Sequence, residues 1–413
     1  MMYFYKIDSK LAFSFLNIDN LNKGSLEDMN SHDKLYYLFR GNPLNTRDTY
    51  MVSHEDLLFV HKEDYNLLNL CENKDHDLPP AVIDKIKHKK VIGVNILFPN
   101  WKDKLNDVKK KKYKINVLGL GDVGSTLTIG LRLLGGDILD EIGIYSRNEF
   151  AKKRWFYELG QIYSTDKDKF PKVTMCDYDN LFDCDLFAFC ASAFVPKVGE
   201  KVADVRMAQF EKNSNIIDIY AKEARKRNFK GIFAVVSDPV DLLCKRAYLS
   251  SNTNEDGDFD SLGLCPSQIQ GYGLGVMHAR AVFYSNFIDG AHHYSEKGRA
   301  FGPHGKGLII ANDINNYDNE LSLTLTNKTI RANLDVRDVG FKPYIAPALS
   351  SGALSILATL RGDWNFSATF LGDIFMGAKN RRLNNVIEVE RNKLDTILLN
   401  RIEETYNYLR SIL

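Results

Sequence analysis

Three glycines, Gly119, Gly121 and Gly124, stand as GxGxxG in VLGLGDVGSTLTIGLRLLG, directly after an apolar run and directly before a helical pattern. Phosphate binding needs that spacing. The first glycine permits a tight turn, the second lets backbone approach a pyrophosphate, and the third lets helix pack closely on strand. The helix start then offers unpaired N–H groups and a partial positive charge. Asp122 and Val123 lie inside the turn, and Ser192 closes the apolar run LFAFCAS; all three join the expected cofactor-binding set. A bare glycine bend with no ligand is the weaker reading, because both flanking elements are present.

The next apolar run decides which dinucleotide is expected. An acidic residue about twenty positions past the glycines normally holds a ribose that lacks a 2′-phosphate. EIGIYS instead ends in Ser146, 22 residues past Gly124, followed by Arg147. Serine offers a hydrogen bond and arginine pairs with phosphate, whereas an acid would repel it. NADP is therefore expected over NAD, with NAD possible, since an Arg147 that merely faces solvent leaves both open.

A second group of residues suggests acid and proton chemistry. In GYGLGVMHARAVFY (271–284), Arg280 lies among Val276, Met277, Ala279, Ala281, Val282 and Phe283. An arginine in apolar company is seldom buried unless an anion meets it. In FGPHGKG, His304 sits between Pro303 and Gly305 on a constrained loop with little side-chain cover, suited to proton transfer near neutral pH.

The elements that must carry these residues are alternating strands and helices. KINVLGL, EIGIYS, LFAFCAS and GIFAVVS read as buried strands, separated by amphipathic helices, which implies parallel strands with crossover connections. The fold class is α/β: a Rossmann-type doubly wound parallel sheet over 113–262, followed by an α+β substrate domain over 263–413. A small α+β domain over 1–101 precedes them, joined by a lysine-rich linker, 102–112, expected to be solvated. LSLTLTNKTIRANL reads as strand-rich and NNVIEVERNKLDTILLNRIEETYNYLRSIL as a charged terminal helix. The 413 residues carry a net charge of +1, so no global attraction to nucleic acid or an anionic membrane is expected. The six cysteines form no CxxC pair or zinc spacing, and no metal is expected. No leader or membrane span is legible, which places the protein in the cytoplasm.

Taken in order, VLGLGDVG, PKVGEKVADVRMAQFEKNSNII, VVSDPVDLL, GYGLGVMHARAVFY and GPHGKG resemble the lactate/malate dehydrogenase family over roughly 113–400. Arg280 and His304 are 24 residues apart, as in that family. The resemblance implies that Arg280 clamps a substrate carboxylate and that Arg206 polarises the carbonyl from a mobile loop. It further implies that His304 is the acid/base and that APALSSGALSILATL (346–360) lines the pocket. It also implies a homo-oligomer, dimer or tetramer. Lys197 and Lys201, in the loop before Arg206, are candidates to meet a second carboxylate.

Two positions depart from the family pattern. Met277 stands where the family has a carboxylate, three residues before the buried arginine, and a thioether neither accepts a strong hydrogen bond nor stabilises an imidazolium. Asp238 stands where the family has asparagine. Three explanations follow: Asp238 supplies the carboxylate that Met277 lacks, or it faces a cationic group on the substrate, or catalysis has been lost. The expected function is hydride transfer between a nicotinamide cofactor and a small carboxylated carbonyl compound. The alternative is a dinucleotide-binding sensor or partner protein without turnover.

Overall fold

The computed structural model describes residues 1–70, 77–106, 110–165, 169–193, 205–383 and 385–412, with the backbone alone described at 205–208. The first hundred residues build a six-stranded sheet from β1 (Tyr3–Ile7), β2 (Lys10–Ser14), β3 (Asn22–Lys23), β4 (Leu35–Phe39), β5 (Thr49–Met51) and β6 (Val91–Asn95), with helix α1 (Pro80–Lys87). Its order is β3-β1-β2-β4-β6-β5, parallel where β4 meets β2 and β6.

The dinucleotide half follows as β7 (Tyr113–Leu118), α2 (Asp122–Leu134), β8 (Leu139–Tyr145), α3 (Glu149–Gly160), β9 (Lys172–Met175), β10 (Leu186–Phe189), α4 (Val205–Lys226), β11 (Ile232–Val235), α5 (Val240–Asn252) and β12 (Ile269–Gly271). Within the large sheet these strands run β9-β8-β7-β10-β11-β12, all parallel. This is the doubly wound order 3-2-1-4-5-6, which opens a crevice where the order reverses, at the C-terminal ends of β7 and β10. Buried Ile115, Val117, Leu186, Ala188, Ile232 and Ala234 supply its apolar strand positions.

The remaining chain holds α6 (Leu274–Ser285), α7 (Tyr294–Lys297), β13 (Arg299–Phe301), β14 (Ile309–Ala311), α8 (Asn319–Asp338), a π-helical segment (Pro347–Leu354), α9 (Ser355–Arg361), β15 (Asn365–Phe370), β16 (Phe375–Leu383), β17 (Val386–Val389) and α10 (Thr396–Arg410). β15, β16 and β17 extend the large sheet antiparallel from β12, giving nine strands. The fold is the expected Rossmann-type α/β sheet with an α+β substrate portion and an N-terminal α+β portion.

Three local expectations give way. LSLTLTNKTIRANL is helical, within α8. Asp318 caps it by accepting from the Leu321 N–H, and Ser322, Leu325, Thr326, Thr329 and Ala332 form its buried face at three- and four-residue spacing. The alternating Leu and Thr residues mimic a strand, and tertiary packing overrides that pattern. The terminal segment begins as β17 and turns helical only after Asp395, which caps α10. The lysine-rich stretch is not wholly solvated: Lys104 pairs with the fully buried Asp48 at 2.8 Å, and Leu105 is buried.

The N-terminal sheet shares its core with the rest. Leu11, Phe13, Tyr37, Leu57 and Val91 belong to one apolar cluster with Leu242, Phe301, Met376, Val389, Leu398 and Tyr406. Arg391 binds across this seam, donating to the Asp56 carboxylate and to the carbonyls of Leu67 and Asn69.

Candidate functional site

The glycine turn lies between β7 and α2. Gly119 has φ +95°, and a Cβ there would meet the Cys190 and Ala191 backbone at 2.8 Å. A Cβ on Gly124 would sit 1.9 Å from the Gly119 carbonyl oxygen, so strand and helix meet only if this residue is bare. Gly121 differs: its missing Cβ points into open space. Gly121 also caps α2 without any side-chain hydrogen bond to the helix start. Open space beside a bare helix N-terminus suits a pyrophosphate. Val123 packs on the core beneath the turn, and Asp122 pairs with Lys342 at 3.2 Å on the surface.

At the end of β8, Ser146 accepts a hydrogen bond from the Asn148 N–H at 3.2 Å, and Arg147 is exposed with no carboxylate partner among the described residues. Ser192, past the end of β10, is hydrogen-bonded to Asn213 of α4 at 3.4 Å. Lys197 and Lys201 lie outside the described residues. Arg206 falls in the first turn of α4, two turns before Asn213 on the same face, and its side chain is not among those described.

Asn213 carried no expectation in the sequence, yet it ties the two halves of the crevice together. Fully buried, it accepts from the Ala193 N–H at 2.9 Å and donates to the Asp238 carbonyl at 2.8 Å. The available signal was its place in EKNSNI, where an amide interrupts an amphipathic helix.

Asp238 follows β11, at the same edge of the sheet. Its carboxylate lies 3.2 Å from Nδ1 of His304. His304 occupies the tip of the β13–β14 hairpin, whose path requires glycine: Gly302 has φ +87°, and a Cβ there would press 2.5 Å from the Gly307 carbonyl oxygen. Gly273, capping α6, gives the histidine loop room, since a Cβ on it would reach 3.2 Å from the His304 Cβ. Arg280 stands two turns into α6, half-buried. It donates to Asn333 of α8 and, weakly, to the Met277 sulfur at 3.4 Å. Burial pushes its pKa below the usual guanidinium value, opposed by Tyr284 and by the Asp238 charge, so Arg280 and Asp238 share one electrostatic neighbourhood. Among the described residues no carboxylate pairs with Arg280, and a half-buried guanidinium in that condition suits an external anion.

Residues 113–259 match the family model for the NAD binding domain of lactate/malate dehydrogenase. The similarity to lactate/malate dehydrogenases in sequence thus rests on the dinucleotide half of the chain. Among similar proteins, an L-lactate dehydrogenase of Clostridium botulinum (strain Loch Maree) is 30% identical over 140 residues, covering 34% of this chain and 41% of the relative. One from Mycoplasma genitalium is 32% identical over 132 residues, covering 32% of this chain and 39% of the relative. The chain thus spans about 41% of the length of the first of these relatives. In fold it resembles the minor L-lactate dehydrogenase of Enterococcus mundtii, with TM-score 0.60 and 19% identity over 73% of this chain and 98% of that one. A lactate dehydrogenase from a Medee basin deep-sea metagenome gives TM-score 0.58 at 18% identity, with the same coverage.

Helix α6 lies beyond the matched residues and carries the departure at Met277. Met277 is buried in the apolar cluster that also holds Tyr294 and Phe366, and His278 beside it packs against those same two rings. The His278 ring stacks on Phe366 at 3.9 Å between centroids, and Nδ1 shares a hydrogen bond with the Tyr294 hydroxyl at 3.1 Å. Burial, with Arg299 and Lys379 nearby, pulls its pKa down to about 4. The unfolded chain takes a proton near the ordinary value of 6.5, while the folded chain resists it. Stability is therefore fully present above about pH 6.5 and falls as pH drops toward 4, by up to about 3 kcal/mol. Denaturant unfolding at pH 7.5 and 5.0 should show that loss, and His278→Gln should flatten it.

Proposed function

We propose that the protein is a nicotinamide-dinucleotide-dependent oxidoreductase of the lactate dehydrogenase type, acting on a small 2-oxo acid or the matching 2-hydroxy acid. The observation that carries this reading is the 3.2 Å approach of the Asp238 carboxylate to His304 Nδ1, in the neighbourhood of an Arg280 that has no carboxylate partner among the described residues. A bound nicotinamide supplies or accepts hydride. Gly119, Gly121 and Gly124, the N–H groups at the start of α2, and Ser192 would hold its pyrophosphate and adjoining ribose.

The chain's own residues handle the acid and the proton. Arg280 grips the substrate carboxylate through its planar fork. Asp238 accepts from Nδ1–H of His304, which fixes the tautomer and leaves Nε2 to exchange a proton with the substrate oxygen. Arg206 polarises the carbonyl as charge develops on it. Lys197 or Lys201 adds a cation for a dicarboxylic substrate. Asp238 thus takes the place of the carboxylate missing at Met277, and the lost-catalysis alternative is the weaker one on this geometry.

The finer cofactor reading is NADP. Ser146 and Arg147 leave the end of β8 without a carboxylate, so a 2′-phosphate meets a cation there. Assembly as a homodimer or tetramer and a cytoplasmic location belong to the same reading. Among the described residues no helix is long and apolar enough to cross a membrane.

Titration with NADH and NADPH, followed by nicotinamide fluorescence, should give saturable binding with NADPH the tighter; 2-oxo acids should then oxidise the bound cofactor. Binding without turnover of any 2-oxo or 2-imino acid would favour the dinucleotide-binding sensor. Failure to bind either nucleotide overturns the reading altogether.

A further inference from the structure

At the edge of the large sheet opposite the glycine turn lies a recess of about 850 Å³. Its walls come from the N-terminal ends of β7, β10 and β11, the end of α9, Leu383 and Asn385, and the facing edge of the N-terminal sheet. Seven lining side chains are cationic and one, Asp185, is acidic, so the recess is strongly positive. Four of the cations meet carboxylates: Lys110 with Asp185, Lys89 with Glu388 at 3.2 Å, Arg227 with Glu223 at 2.7 Å and Arg361 with Asp137 at 2.6 Å.

Arg382 does not. It is 7% exposed, and among the described residues it has one hydrogen bond, from Nη1 to the Ser267 carbonyl at 2.5 Å, and no ion pair. Arg382 is one of the side chains that line the recess. The buried carboxylate behind it is already satisfied: Asp48 accepts from Ser267 N at 2.8 Å and Oγ at 2.6 Å and pairs with Lys104 at 2.8 Å. Asp48, Lys104 and Arg382 together leave one uncompensated positive charge in the interior. Such a charge is costly unless an anion reaches it. Lys230, before β11, is a second lining cation without a carboxylate partner among the described residues, and it is exposed.

We propose that this recess binds a small molecule carrying two or more phosphoryl groups, one on the Arg382 fork and one on Lys230. A planar guanidinium matches phosphate oxygens bidentately and an ammonium takes the second as a point charge. Met51, Phe182 and Leu383 line the same recess and accept an organic body between the charges. The site is independent of the dinucleotide turn, which lies at the C-terminal ends of the strands. Its occupant bridges the N-terminal sheet and the dinucleotide half and so stabilises the whole chain.

Tripolyphosphate is the probe, titrated calorimetrically into the full chain and scored by thermal unfolding. The expected result is a saturable site that raises Tm. Lys230→Glu, an exposed change that leaves the core intact, should weaken it about tenfold or more. Gly121→Glu, which fills the open space at the glycine turn, should leave it unchanged. Absence of saturable binding overturns the proposal, as does binding indifferent to Lys230→Glu or abolished by Gly121→Glu.

Discussion

Replacing Asp238 with alanine is expected to lower kcat on a 2-oxo acid by about 10³- to 10⁴-fold, the scale on which a histidine's orienting carboxylate matters in hydrolytic triads. KM should move little, because the grip on the substrate carboxylate belongs to Arg280. The loss then falls on the proton step, and kcat and kcat/KM fall together. Asp238→Asn keeps the shape and removes the charge, so its turnover should fall to a similar level. Adding Met277→Asp to Asp238→Ala returns a carboxylate to the position where the family carries one and should recover part of the lost rate. Unchanged turnover in Asp238→Ala would remove the residue from the chemistry. A defect confined to imino or amino substrates would assign Asp238 to a cationic substrate group instead.

Removing residues 1–106 is expected to abolish folding rather than trim an accessory. The apolar cluster under the N-terminal sheet contains Phe301, Ile309, Met376, Val389, Leu398 and Tyr406 from the far end of the chain. Each large side chain re-exposed costs about 1.5–3 kcal/mol, so six of them cost about 9–18 kcal/mol, as much as the whole net stability of about 5–15 kcal/mol for a typical domain. The deletion also strands Arg391, whose Asp56 partner and two carbonyl acceptors all lie in the missing part. A chain beginning at residue 107 should be recovered only from inclusion bodies, or unfold without a cooperative transition. A soluble chain with a sharp transition would show that the two cores are separable.

How far the sequence could be read depended on how local each cause was. The glycine turn was legible because the constraint lies within six residues: a Cβ at Gly124 collides with Gly119 itself. The parallel, doubly wound arrangement of the strands followed from apolar runs alternating with helices. α8 was misread because its Leu and Thr residues alternate in sequence, while its buried face is selected by packing against α6 and β14. Long-range pairings gave no local sign. Asn213 meets Asp238 across 25 residues, and Ser267 meets Asp48 across 219. Asp238 was singled out as a chemical oddity, and the strand end on which it sits gave that oddity a neighbour, His304, 66 residues away.

The carboxylate beside His304 comes from the dinucleotide sheet, whereas the histidine rides on a hairpin of the other half. Relative to the pattern its sequence resembles, the proposed reading has the acid reach the imidazole from the dinucleotide sheet instead of from α6. On the proposed role of Asp238, the imidazole keeps an acidic partner when Met277→Asp is introduced alone, and that variant, with a carboxylate at both positions, is expected to retain turnover.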